Sequence, residues 1–383
     1  MIYLDHAATT PVLPAALEAA WPWLTQQYGN PNSTHELGLA AAGGLQWARE
    51  QCASWMGCHP DEIVFTSGGT ESNNLAIQGI ALGSPRGKHL ISAPTEHSSV
   101  LRELEYLRDF HGFELTLLPV DEHGSVAVSD LADALRQDTT LVTLMAANNE
   151  VGTLHPIAEL AAICATKGVP FHTDAVQAAG WQTLDVRALG VSALTLSGHK
   201  LGAPKGSGLL YLSSRQRVEP VLHGGGQEHG LRSGTQNVAW AVALATALAA
   251  KPTGEAAVTE AARVAALRDE FVARVQQAVP TARLTGTESG SARHPGLASL
   301  VFPGVNGETL LLELEANGVI CSSGSACSAH STEPSHVLTA MGFDSDTATT
   351  AVRFSLSHST TQQDLSFAAA AVVSAYEKLT KGR

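Results

Sequence analysis

Short apolar runs that end in polar residues recur along this chain, and segments with helical periodicity separate them. Glu62 to Phe65, His89 to Ser92, Phe113 to Leu118, Thr140 to Met145, Val169 to His172 and Ala193 to Leu196 read as strands. They run into Thr66-Ser67-Gly68-Gly69-Thr70, Pro94-Thr95-Glu96-His97, Asn148-Asn149-Glu150, Thr173-Asp174-Ala175-Val176-Gln177 and Ser197-Gly198-His199-Lys200. Pro14 to Trp23 and Leu37 to Met56 predict helices, the first with proline in its opening turn. Val238 to Ala250 predicts an alanine-rich core helix and Glu255 to Val279 a long amphipathic one. Alternating strands and helices predict an α/β fold with a mostly parallel sheet, whose ligands sit at the carboxyl ends of the strands. His97, Asn149, Asp174, Gln177 and Lys200 then face one crevice.

Lys251-Pro252-Thr253-Gly254 breaks the pattern and marks the expected domain boundary. Beyond it, strands at Ala298 to Phe302, Gly318 to Cys321 and Ala351 to Leu356 alternate with helices at Gly307 to Asn317 and Asp364 to Leu379, a smaller α+β domain. The expected division is a large domain over 12–250 and a small one made of 1–11 and 251–383. A chain of 383 residues with 44% hydrophobic and 15% charged residues has ample material for such cores.

Charge narrows the function. With 23 Lys and Arg against 36 Asp and Glu, the formal net charge is −13, which argues against direct binding to nucleic acid. Five cysteines at irregular spacing do not form an even disulfide framework, so a reduced, cytoplasmic protein is expected. Asp5 and His6 stand where a signal peptide would be apolar. The longest apolar run, Val238 to Ala250, falls short of the ~20 residues of a spanning helix, so no membrane is expected.

Lys200 is the first candidate for chemistry. A lysine at the mouth of a buried strand is expensive unless its charge is relieved. One relief is a Schiff base with an aldehyde such as pyridoxal 5'-phosphate (PLP), with Ser197 and His199 as donors to its phosphate; the alternative is a solvated surface lysine. Gly68-Gly69 between a strand and a helix lets backbone N–H groups approach an anion, with Thr70 adding a hydroxyl, although an ordinary βα loop has the same composition. Asp174 precedes Lys200 by 26 residues, about one βαβ step, and a buried carboxylate keeps a pyridine nitrogen protonated. His97 can stack on the ring and help move protons; Gln177 and Asn149 can address its phenolic oxygen side. Singly, Asp174 could be a helix cap, His97 a core histidine and Asn149 a turn residue; together at strand ends they favour a cofactor site. Cys58-His59 has no accompanying CxxC spacing, so no metal site is expected.

In order along the chain, Tyr3 to Pro11, Phe65 to Asn74, Asn148 to Gly152, Phe171 to Gln177, Ser197 to Lys200, Gly224 to Thr235, Ser322 to Cys327 and Arg353 to Ser355 resemble the cysteine desulfurases of the NifS/IscS type. These are class V enzymes of PLP fold type I, with a seven-stranded sheet in the large domain. The resemblance implies that Lys200 carries the cofactor, Asp174 pairs with its pyridine nitrogen and His97 stacks on it. Gln177 and Asn149 would contact the phenolic oxygen side, and Gly69, Thr70, Ser197 and His199 the phosphate. Thr235 would reach the phosphate of a neighbouring subunit, which implies a homodimer, and Arg353, with Asn149, would bind the substrate carboxylate.

It also implies conversion of L-cysteine to L-alanine, with Cys327 taking the sulfur as a persulfide from a loop at about 321–334 in the small domain. The sulfur would pass to an acceptor protein: an iron–sulfur scaffold, a tRNA thiolation enzyme or a cofactor-biosynthesis carrier. Rivals are a selenocysteine lyase or other class V aminotransferase on the same scaffold, and a non-catalytic thiol or metal carrier. Cys321 is expected to pack rather than react, and Cys52, Cys58 and Cys164 to be buried thiols in helices. The chain departs from the family pattern at Ser357-His358, where Gly-Arg is usual, and no extended tail follows Leu379.

Overall fold

Apolar strands that helices cover on both faces need no alternation of polar residues. The computed structural model, which describes residues 1–84, 86–288, 290, 292–323 and 334–381, has such a sheet at its centre. Its seven strands lie in the order Ile63–Thr66, Gly208–Leu212, Ala193–Ser197, Phe171–Asp174, Thr139–Thr143, His89–Ser92, Glu114–Leu117. All neighbours are parallel except the two pairings of Gly208–Leu212. That strand is the one the apolar pattern does not announce, since the Gly- and Pro-rich stretch before it reads as loop. It returns directly against Ala193–Ser197, with Ser197 opposite Gly208. A Cβ at Gly208 would lie 2.5 Å from the Gly68 Cα, so only glycine lets the Ser197 end of the sheet close against the Gly68-Gly69 turn.

The largest apolar core lies between the sheet and the helices Pro14–Thr25, Glu36–Met56 and Val238–Ala249. Val238–Ala249 is apolar on nearly every side and is buried accordingly. A separate core gathers Leu4, Val264, Phe271, Phe302, Phe354 and Val372. Around it Leu297–Val301 pairs antiparallel with Ala351–Ser355 and Arg283–Leu284, and the helices Gly254–Ala278 and Gln362–Lys381 pack together. Ile2–Tyr3 pairs parallel with Val319–Ile320 in a separate two-stranded sheet, so the chain starts beside the second core, where Leu4 is buried, before crossing to the first. Among the described residues no helix is long and apolar enough to cross a membrane.

One buried ion pair ties the loop after Pro220 to the sheet edge. Arg49 and Glu228 meet at 2.8 Å with side chains 6% and 1% exposed. The second Glu228 oxygen accepts the Phe65 N–H at 2.9 Å, and Gln236 donates to the first at 2.7 Å. These contacts hold Glu228 in a left-handed backbone conformation (φ 47°) that non-glycine residues seldom adopt. Glu228→Ala leaves Arg49 as a buried charge without its carboxylate, and is expected to cost about 3–5 kcal/mol in urea unfolding. A loss below about 1 kcal/mol would show that the pair does not hold the loop.

Candidate active site

The strand Ala193–Ser197 ends in a single 3-10 turn, Gly198–Lys200, that turns the lysine toward the cleft. A Cβ at Gly198 would sit 2.1 Å from Ser207 Oγ and 3.1 Å from the Ser207 carbonyl oxygen, so a side chain there would displace Ser207. The half-buried Lys200 ammonium donates to the Ala7 carbonyl and, at 2.7 Å, to the Ala8 carbonyl. It is thus held by the N-terminal arm. His199 Nδ1 lies 3.2 Å from Thr9 Oγ1. Burial first, then Lys200 and Lys205, pull its pKa down to about 4, so the ring is neutral at pH 7.

A chain of hydrogen bonds joins His97 to Asp174. Asn73, buried in the helix Gly69–Gly83, donates from Nδ2 to Asp174 Oδ2 at 2.7 Å and to Ser99 Oγ at 2.9 Å. Ser99 Oγ lies 2.7 Å from His97 Nδ1, and the Ser99 N–H also donates to that nitrogen at 3.1 Å. Since Ser99 Oγ accepts from Asn73, its own proton points to His97. Nδ1 therefore accepts twice, and a neutral His97 carries its proton on Nε2. His97 also caps the helix Ser98–His111. Beside Asp174, the fully buried Glu96 accepts the Met145 N–H at 2.7 Å. Burial, with a further contribution from Asp174, pushes its carboxyl well up from the ordinary carboxylate range.

Gly68, Gly69 and Thr70 open the helix Gly69–Gly83 toward the same cleft. The Gly69 and Thr70 N–H groups have no partner among the described residues, while Glu71 is turned aside by Arg232 at 2.7 Å and by the Ser67 N–H. A Cβ at Gly69 would press within 3.1 Å of Val176 Cγ2, so the glycine keeps this turn close to Ser197. The cleft, about 660 Å³, is lined by His97, Asn149, Asp174, Gln177, Ser197, His199, Lys200 and Arg353 along with this turn. Gln177 donates to the Ala7 carbonyl at 2.9 Å. Arg353 is buried, donates to the Asn149 carbonyl at 2.8 Å and pairs with Asp5 at 3.1 Å, while its Nε has no partner.

Thr235 does not line the cleft of its own chain. It lies in an adjoining pocket that shares Ser67 and Gly206 with it. Cys327, with most of the 321–334 loop, lies outside the described residues. Cys52 and Cys164 are buried, Cys58 and Cys321 half-buried, and none is in a disulfide. Burial drives the Cys58 and Cys164 thiols up to about 12, and those of Cys52 and Cys321 up as well.

Sequence reading overlooked Asn73, Ser99, Lys205 and Asp5. Gly69 and Asn73 are four apart on one helix face, so a glycine turn aimed at the cleft implies that Asn73 faces it too. Lys205, which lines the cleft, follows Lys200 in the same loop. Nothing local marks Asp5 as the partner of Arg353.

An α/β protein with a strand-end lysine, a carboxylate and open helix amides lining one cleft has the groups that a phosphorylated pyridine aldehyde requires. The chain belongs to the aminotransferase class V family, which it matches over residues 2–367. It is 43% identical over 383 residues to the protein named cysteine desulfurase IscS of Dictyoglomus turgidum, covering 99% of this chain and 95% of that one. Among solved structures, a NifS-like protein superposes with a TM-score of 0.90 at 34% identity, covering 99% of both chains. A structure described as SspA in complex with cysteine superposes with a TM-score of 0.81 at 34% identity, covering 93% of this chain and 99% of that one. Enzymes of this family depend on PLP. The residues present fit it: among the described residues the Gly69 and Thr70 amides lack partners where a phosphate could take them, and Asn73 fixes Asp174 in the cleft that Lys200 also lines.

Proposed function

We propose that this protein is a cysteine desulfurase that converts L-cysteine to L-alanine and keeps the sulfur on Cys327 as a persulfide. The observation that carries this reading is the single cleft that gathers Lys200, Asp174, His97 and Arg353. It is supported by relatives of nearly full length that bear that enzyme's name and by a similar structure described with cysteine bound.

Bound PLP supplies an electron sink for charge that develops at the substrate Cα. Lys200 would hold the cofactor and then move the Cα proton, with the Ala7 and Ala8 carbonyls guiding its amine. Asp174, oriented by Asn73, would keep the proton on the pyridine nitrogen. His97 would stack on the ring and present Nε2–H, serving as a donor with Lys200 as the base. Gly69, Thr70, Ser197 and His199 would hold the phosphate, and Gln177 and Asn149 the phenolic side. Arg353 clamps the substrate carboxylate with a guanidinium already set by Asp5 and Asn149. The Cys327 thiolate attacks the substrate sulfur; the S–S bond forms as the Cβ–S bond breaks, and Cβ takes a proton on the way to alanine.

Thr235, set beside rather than in its own cleft, would reach the phosphate of a second copy, which makes the working unit a homodimer. We place the cofactor-binding domain at 12–250 and the cysteine-bearing domain at 1–11 with 251–383. The sulfur goes to a protein acceptor, an iron–sulfur scaffold or a thiolation enzyme, in the cytoplasm. A visible spectrum of the purified protein, then L-cysteine with sulfide and alanine assayed together, tests the reading. A yellow protein releasing both in equal amounts supports it; a protein that stays colourless after added PLP overturns it.

Asn73→Ala removes the donor shared by Asp174 and Ser99. Loss of a charged hydrogen bond of about 1.5–3 kcal/mol is expected to weaken PLP binding by roughly 10- to 100-fold in reconstitution of the apoprotein. Affinity within about two-fold of wild type would show that Asp174 is held by other contacts.

A further inference from the structure

A second cavity, about 320 Å³, backs onto the active-site cleft and shares Ala7, Val176, Gln177 and Lys200 with it. Two lysines and three histidines line it, but no aspartate or glutamate does. That runs against the composition of a chain with 36 acidic and 23 basic residues. Pro11, Leu13, Trp181 and Leu356 give it an apolar wall.

Its polar groups are underused. Lys251 lays its stem over Gly180, whose Cβ, if present, would sit 3.2 Å from Lys251 Cδ. Its ammonium has no hydrogen-bond partner among the described residues, and burial pulls its pKa down. His6 packs edge-on against Tyr3, and its Nδ1 is buried without a partner. His358 stacks on Trp181, with ring centroids 4.1 Å apart. Glu260, which does not line the cavity, lies 3.4 Å from His358 Nδ1 and is engaged by Arg263 at 2.7 Å. His294 alone is fully used, accepting the Gly296 N–H and donating to the Gln177 carbonyl.

A half-buried ammonium with no counter-charge among the described residues is costly, and an anion relieves that cost. The cavity has room beyond the anionic group, and the Trp181 side offers apolar contact for the remainder. We propose that this cavity is a binding site for a small organic carboxylate, with the carboxylate at Lys251 and His6 and an apolar body against Trp181 and Leu13. The site is distinct from the substrate carboxylate position at Arg353, which lines the other cleft.

Phenylacetate titrated calorimetrically into the PLP-loaded protein tests this, with phenylacetamide as the uncharged counterpart. Phenylacetate is expected to bind, and the amide to bind at least about ten-fold more weakly. Lys251→Gln keeps the stem over Gly180; it should weaken phenylacetate at least about ten-fold while leaving the cofactor spectrum and basal cysteine turnover unchanged. Lys251→Arg should retain binding, and His6→Gln, read the same way, covers the case in which Lys251→Gln fails to fold. No phenylacetate binding, equal binding of acid and amide, or wild-type affinity in Lys251→Gln would each overturn the proposal, including the case in which a second copy of the chain covers the cavity.

Discussion

Lys200→Ala is expected to abolish the visible band of lysine-bound PLP and to lower cysteine turnover by about 10²–10⁴-fold or more. In the proposed reaction two tasks fall on one amine: holding the cofactor, and moving a proton at Cα once substrate has displaced it. The N-terminal arm makes the second task feasible, because the Ala7 and Ala8 carbonyls fix the amine at the cleft wall without neutralising it as a carboxylate would. Among the described residues two other lysines lie close to the cleft, and neither stands at the strand end that Lys200 occupies. Lys205 lines the cleft but sits with Gly206 beside the Ser67 turn, and Lys251 lines the cavity behind. The substitution should leave the fold nearly intact. Gln177 still donates to the Ala7 carbonyl, and a lost half-buried hydrogen bond is worth about 0.5–1.5 kcal/mol. Absorption spectra with added PLP, turnover and a thermal melt therefore separate chemistry from folding. A variant retaining the wild-type band would show that another group carries the cofactor.

The elements that set this site were largely legible because each is local. An apolar run of four or five residues ending in a polar one is a property of adjacent positions, and so is a Gly-Gly turn before a helix. His89–Ser92 falls where the pattern puts it, and Ala193–Ser197 extends the expected strand by one residue. What was not legible is tertiary. Asn73 reaches Asp174 across 101 positions, and Arg353 reaches Asp5 across 348. Periodicity places each residue on a face, but it does not say which other face will come opposite. The strand Gly208–Leu212 was hidden for a different reason. Its pairing depends on Gly208 meeting Gly68, a close approach between two loops that look unrelated in the sequence. The proton position on His97 follows from geometry too, since it depends on which atom of Ser99 is already committed to Asn73.

Cys327→Ala is expected to remove sulfide release and to lower alanine formation from cysteine by more than about 10²-fold, while the cofactor band persists and still responds to added cysteine. The chain has five cysteines, and the nucleophile must be present as thiolate. Four of them are poorly suited. Cys52 and Cys164 are buried, and Cys58 and Cys164 are pushed up to about 12. Cys321 stands nearest to Cys327 in sequence, but it packs against the second core with Asp5 nearby, and burial raises its thiol well above the ordinary range. At neutral pH a thiol with a pKa near 12 is ionised to roughly one part in 10⁵, too little to compete with an accessible thiolate. Cys327 stands among Ser322, Ser323, Gly324, Ser325 and Ser328, a stretch of small and polar residues in the sequence. Cys321→Ala should accordingly keep most of the alanine and sulfide production. If Cys327→Ala retains full alanine formation, sulfur does not pass through that thiol. If Cys321→Ala loses activity while Cys327→Ala keeps it, the nucleophile is the buried neighbour, and the loop must deliver solvent or a charge that lowers its pKa during turnover.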